Sequence, residues 1–372
     1  MSSEFEVDLS ELEGRRFDCI DGCELCCLCQ PEVMAEEAPF FRKNHPERLV
    51  WIDDPYEHLT IATKEVGGPC TFLESGRCKV YDHRPRFCRQ YPFHLYLGER
   101  LQVELDLSCR GVWLDRGEEA IAIARDLIST REKQLLQFLS QTGDVYAEFW
   151  TNCDIAGVVT DITHIRDTIE NEIGKGLEIS ILARMLESSA DEGEVELPLN
   201  AKALLNNEKL DLEIAVMESA LASLESDSPY SAPVYCDPTG KWHIFVVRED
   251  GIHWQVMDRD GDLHYMDSID PMSVSIVDSK LTRTSVLRDY LRTLNRRDSF
   301  LGYVCYLEDL YGYEDYLSNT YLGAFSTTAL DLLWRTTLLG NVFRIIGEDL
   351  MREGVIYYDM DRLGAPTIGA FY

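Results

Sequence analysis

Residues 17–30 read FDCIDGCELCCLCQ, and residues 68–93 read GPCTFLESGRCKVYDHRPRFCRQYPF. The first stretch crowds Cys19, Cys23, Cys26, Cys27 and Cys29 into one short segment; the second supplies Cys70, Cys78 and Cys88, with Cys109 following. Thiolates two or three residues apart can converge on one soft metal while the intervening backbone turns around it. The side chains of adjacent Cys26 and Cys27 tend to diverge, so either they serve different centres or one is a spare thiol. Cys29 is the easiest of the group to set aside. Between Arg77 and Arg89 lie five basic residues, Arg77, Lys79, Arg84, Arg86 and Arg89, against the single acid Asp82. A tetrathiolate zinc ion and an oxidised four-iron cluster with four thiolates both carry net negative charge, which nearby guanidinium groups stabilise.

Nine of the twelve cysteines fall between Cys19 and Cys109, and the other three, Cys153, Cys236 and Cys305, are scattered. Those three read as small buried apolar residues. The opening MSSEFEVDLSELEGRRF is acidic and never apolar for long, so no leader is expected and the cytoplasm is the expected location. There thiols stay reduced, and clustered cysteines mean metal rather than disulfides. The formal net charge of −31 disfavours nucleic acid and anionic membranes, leaving another protein as the expected partner. Nine lysines against 26 arginines fit an acidic protein suited to high salt, or simple solubility.

A length of 372 residues suggests two domains. Residues 1–115 hold the cysteine module, with many turn signals and little periodicity. Residues 116–372 read as mainly helical, with apolar stripes over 115–143, 145–173, 178–188, 200–225, 283–296, 299–311 and 327–352, the last stopping near Gly354. The acidic stretch 188–196 reads as a solvated loop. Inside this part, Val234–Cys236, Trp242–Arg248, Ile252–Asp258 and Leu263–Met266 alternate with period two between tight-turn sequences, which predicts an antiparallel meander at about 233–267. Its expected register sets Arg248 opposite His253 and Met257 opposite His264, with His243 on the other face from those two histidines. The fold class is α+β: a loop-rich, metal-stabilised module, then a helical domain with a small meander.

The two cysteine stretches together resemble the CxxCxxCC family of zinc- or iron-chelating proteins. Phe17, Cys19, Cys23, Cys26 and Cys27 match its opening motif. Cys70-Thr-Phe-Leu, Cys78-Lys-Val-Tyr and the run from Arg84 through Cys88 to Phe93 match its second half. The resemblance covers residues 17–110 and implies metal or iron–sulfur binding without a settled reaction. More distantly, the flagellin lysine N-methylases carry a similar cysteine module. The expected metal ligands are Cys19, Cys23, Cys26, Cys27, Cys70, Cys78, Cys88 and Cys109, with Arg84 and Arg89 as cofactor-side charges. A [4Fe–4S] cluster is preferred on the resemblance and the arginine-rich surround, with Zn2+ as the alternative.

Rival readings are weaker. The spacing of Cys19, Cys23 and Cys26 is also that of radical S-adenosylmethionine enzymes, but no strand–helix repeats follow it. No G-x-G-x-x-G lies between a strand and a helix, which disfavours a Rossmann methyltransferase. A flagellin-type, S-adenosylmethionine-dependent lysine methylase remains an alternative, as does a structural zinc module in a protein-interaction protein. His243, His253 and His264 do not form a ligand set; His83 and His94, flanking Cys88, are the substitute candidates. Asp258 to Asp262 lacks the glycine and glutamate positions of a calcium loop.

Overall fold

The computed structural model describes residues 5–53, 57–65, 67–191, 193–277, 279–362 and 365–372. The fold is α+β, as expected. Among the described residues, those before 115 form short strands, turns and single 3-10 turns around two brief α-helices, Ala38–Asn44 and Arg86–Gln90. Their most regular piece is the hairpin Phe93–Leu97 with Leu101–Leu105, paired from Phe93 opposite Leu105 to Leu97 opposite Leu101. Its alternating Phe93, Leu95, Leu97, Leu101, Val103 and Leu105 are all buried. Val7–Asp8 extends this sheet in parallel on one side and Ala370–Phe371 antiparallel on the other.

Beyond residue 115 the helices gather around Leu317–Phe343, against which Ile179–Ser188, Asn206–Leu224, Asp298–Leu310 and Gly347–Arg362 pack. That helix is buried on most of its faces; even Arg335 is 2% exposed, held by Asp331 at 3.1 Å. No helix among the described residues is long and apolar enough to cross a membrane.

Several expected helices divide. The stripe over 115–143 breaks between Ala120–Ser129 and Glu132–Ala156, and the second helix runs through Gly143. The stripe over 145–173 breaks because Gly157, at φ +76°, closes one helix, and Asp161 accepts from the backbone N–H of Thr163 and His164 to open the next, Ile162–Lys175. The helix expected over 327–352 is two, Leu317–Phe343 and Gly347–Arg362, separated where Arg344 turns left-handed at φ +59°. Gly354 does not stop the second helix; a Cβ there would stand 1.9 Å from Thr336 Oγ1, so the glycine lets the two helices close on each other. The acidic loop expected over 188–196 follows Ile179–Ser188, with Glu192 outside the described residues.

The meander is present as Val234–Cys236, Trp242–Arg248, Gly251–Met257 and Leu263–Ile269. Its register differs from the expected one. Arg248 pairs with Gly251, and a shift between Trp254 and Gln255 sets Val256 opposite His264. Val256 also pairs with His243, so His243 and His264 share a row across the sheet and His253 does not join them. The tight turn is possible because Gly251 adopts φ +133° and takes the place opposite Arg248 two residues earlier than expected. Each histidine takes its own aspartate, Asp237, Asp250 or Asp258, at 2.7–3.1 Å.

One apolar cluster contains residues from both sides of position 115, including Leu12, Leu95 and Val103 with Leu291, Leu332 and Tyr357. Buried Arg297 fixes this junction. It donates to Glu11 at 2.8 and 3.0 Å, to Asp359 at 3.1 Å and to the Leu105 carbonyl at 2.7 Å.

Candidate metal centre

The first cysteines lie on a loop that leaves strand Arg16–Phe17 and curls into the short turn Leu25–Leu28. Gly22 at φ +84° and Glu24 at φ +50° bend it sharply. The Glu24 carboxylate is held by Arg259 at 2.7 Å, which secures an unusual backbone conformation for a side-chain-bearing residue. The second group is stitched to the first by the Cys70 N–H, which donates to the Cys27 carbonyl at 2.7 Å. The pair Leu73–Glu74 and Arg77–Cys78 presents Cys78, and helix Arg86–Gln90, entered from Pro85, carries Cys88. Cys109 enters on the loop after strand Leu101–Leu105, its N–H donating to the Asp106 carbonyl at 3.2 Å.

These pieces enclose a cavity of about 560 Å³. All eight cysteines expected as ligands line it, as do Arg84 and Arg89. Cys29, set aside on sequence, lines it too. Among the described residues no group of three or more Cys, His, Asp or Glu side chains is disposed to hold a metal ion as it stands. Cys153, Cys236 and Cys305 are all buried, as expected, and none of them lines the cavity. His83 stacks on Phe40, with centroids 4.2 Å apart, and His94 stands 3.9 Å from Asp106; neither lines the cavity.

The thiols act on one another. Burial raises Cys19, Cys78, Cys88 and Cys109, and Cys70 to about 11, each with a further push from neighbouring thiols. Cys29, exposed as a residue, has its thiol raised to about 12 by burial. Two run the other way. A hydrogen bond from Cys236 draws Cys23 down to about 7, and one from Cys27 lowers Cys26. A bound cation opposes both burial and mutual repulsion, the two effects that keep such a cluster protonated.

The thiols also sort by which neighbours they feel. Cys19, Cys109 and Cys236 respond to Cys23, whereas Cys27 and Cys88 respond to Cys70 and Cys78; Cys26 acts on both groups. The adjacent Cys26 and Cys27 thiols hydrogen-bond to each other.

The basic residues divide as well. Arg84, whose guanidinium lies 3.6 Å from the Tyr81 ring centroid, acts on Cys19, Cys26 and Cys78. Arg89 spends its charge on Glu37 at 2.8 Å. Arg48, acting on Cys70, and Arg110, acting on Cys23 and Cys236, were not singled out from sequence. Nor was Cys236, whose sulfur lies 3.9 Å from that of Cys23 across 213 residues of chain. Reading Cys236 as merely a buried apolar residue missed this contact, because nothing local in VYCDPTG signals a thiol partner.

No curated protein and no solved structure matches this chain. Residues 18–110, a quarter of the chain and nearly all of the cavity's lining, match the family model CxxCxxCC, described as a "putative zinc- or iron-chelating domain".

Proposed function

We propose that the cavity holds a thiolate-ligated metal centre, an iron–sulfur cluster in preference to zinc, in a cytoplasmic protein whose helical part meets another protein. The observation that carries this reading is the gathering of nine cysteines from four separate segments around one cavity of about 560 Å³. Cys19, Cys23, Cys26, Cys27, Cys70, Cys78, Cys88 and Cys109 are the ligands, enough for two four-thiolate centres. Arg84 offsets their charge directly, and Arg89 stands farther off in its pair with Glu37. The preference for a cluster rests on the resemblance and on the basic residues beside the thiols, whose charge offsets that of a thiolate-ligated cluster. When bound, a cluster supplies one-electron transfer and a zinc ion supplies rigidity.

Anaerobic purification of the full chain, with an absorption spectrum and iron, sulfide and zinc analysis, separates the readings. A brown protein with iron and sulfide is expected; a colourless one with stoichiometric zinc ends the cluster proposal. Cys88→Ser is expected to lose metal, and unchanged content would remove Cys88 from the ligand set.

A further inference from the structure

Cys236 lies outside the segment that matches the family model and was grouped on sequence with the inert cysteines. It sits on strand Val234–Cys236, 1% exposed, facing the loop that carries Cys23. The two sulfurs are 3.9 Å apart. A disulfide requires about 2.05 Å, so at 3.9 Å the two thiols are in hydrogen-bond contact and not covalently joined. Two thiolates each about 2.3 Å from one tetrahedral ion stand about 3.8 Å apart, so an ion can replace the shared proton of this pair with little movement of either sulfur.

Its surroundings fix that spacing. Trp242 Nε1 donates to the Cys23 carbonyl at 3.3 Å. Arg110 donates to the Cys236 carbonyl at 2.6 and 2.9 Å. On the adjoining turn, a Cβ at Gly240 would come within 2.5 Å of the Gly22 carbonyl, so the meander presses directly on the cysteine loop. Only a residue without a side chain permits that approach.

We propose that Cys23 and Cys236 ligate one metal ion, so that the meander supplies a thiolate to a centre otherwise built from residues 18–110. Cys19, Cys26 and Cys109, which line the cavity together with Cys23, are the thiols available to complete the set. Each cysteine gives its proton to solvent on ligation, and no oxidant is involved. The inference rests on the metal-binding reading above, and it holds whether the remaining thiols take a cluster or a second ion. Its consequence is that metal ties the cysteine module to the rest of the chain.

The test uses the full chain, purified anaerobically, as wild type, Cys236→Ser, Cys236→Ala and the control Cys305→Ser. Metal content, the thiolate-to-Co2+ charge-transfer absorption after cobalt loading, and thermal midpoints with and without chelator are measured. Both Cys236 variants are expected to hold metal at least ~10-fold more weakly and to lose cobalt–thiolate absorption. Their midpoints should fall below wild type with metal and match it after chelation, while Cys305→Ser keeps wild-type metal. Equal metal and absorption in the Cys236 variants would overturn the inference, as would a midpoint deficit that persists undiminished after chelation, which marks a packing role. A wild-type chain that takes up no metal sinks the metal-binding reading itself, whereas a loaded wild type beside equally loaded Cys236 variants sinks only this inference.

Discussion

At the scale of single residues, buried carboxylates matter as much as thiols. Glu104 accepts from the Ser299 N–H at 3.1 Å and from its hydroxyl at 2.6 Å, at the start of helix Asp298–Leu310. Burial raises its carboxyl to about 7 despite Arg297 nearby. In the unfolded chain the same group titrates near 4.5. The folded protein therefore keeps a proton between those values that the unfolded chain releases. The stability this contributes is full below pH 4.5 and is lost as pH rises through about 7. Glu104→Gln keeps an acceptor for Ser299 and removes the titration. Its stability relative to wild type should improve between pH 5 and pH 8, by a shift on the order of 3 kcal/mol. Thermal midpoints of both proteins across that range check this, and a constant difference would contradict it.

At the scale of elements, Arg110 joins the cysteine module to two others. It donates to the Cys236 carbonyl on the meander and makes a bidentate pair with Glu353 on helix Gly347–Arg362, where Tyr235 also donates to Glu353 at 2.7 Å. The pair is largely buried, with Arg110 12% and Glu353 9% exposed. Arg110→Ala leaves Glu353 as a buried charge without its cation and should cost about 3–5 kcal/mol in a denaturant titration. Adding Glu353→Gln should recover part of that loss; no recovery would mean that packing, not charge, sets the cost. The same helix reaches the loop before Cys109, since Asp359 accepts from the Leu107 N–H at 2.7 Å.

At the scale of the whole molecule, the shared apolar cluster and the Arg297 junction couple the cysteine module to the helices. Thermal unfolding of the metal-loaded chain should therefore be one cooperative transition. Because metal binds the folded chain in preference to the unfolded one, chelation should lower its midpoint. A low transition that moves with chelator beside a fixed higher one would show that the module unfolds alone.

What was legible in sequence follows from range. Cysteines a few residues apart, turn sequences flanking period-two runs and apolar stripes are local, so the eight cysteines, Arg84, the meander and most helices could be placed directly. Helix ends were less legible because stripes pass through breaks. At 157–161 the signal was present in Gly157 and Asp161, whereas nothing in the sequence marked the left-handed turn at Arg344. The sequence by itself determined that a thiol-rich module precedes a mainly helical region with a meander. The fold in three dimensions decided that Cys29 lines the cavity, that Cys236 meets Cys23 beside it, that Arg89 is paired to Glu37, and that Arg110 and Arg48 act on the site. Those contacts join residues far apart in the chain, as Cys23 meets Cys236 across 213 positions, and packing rather than local spacing selects them.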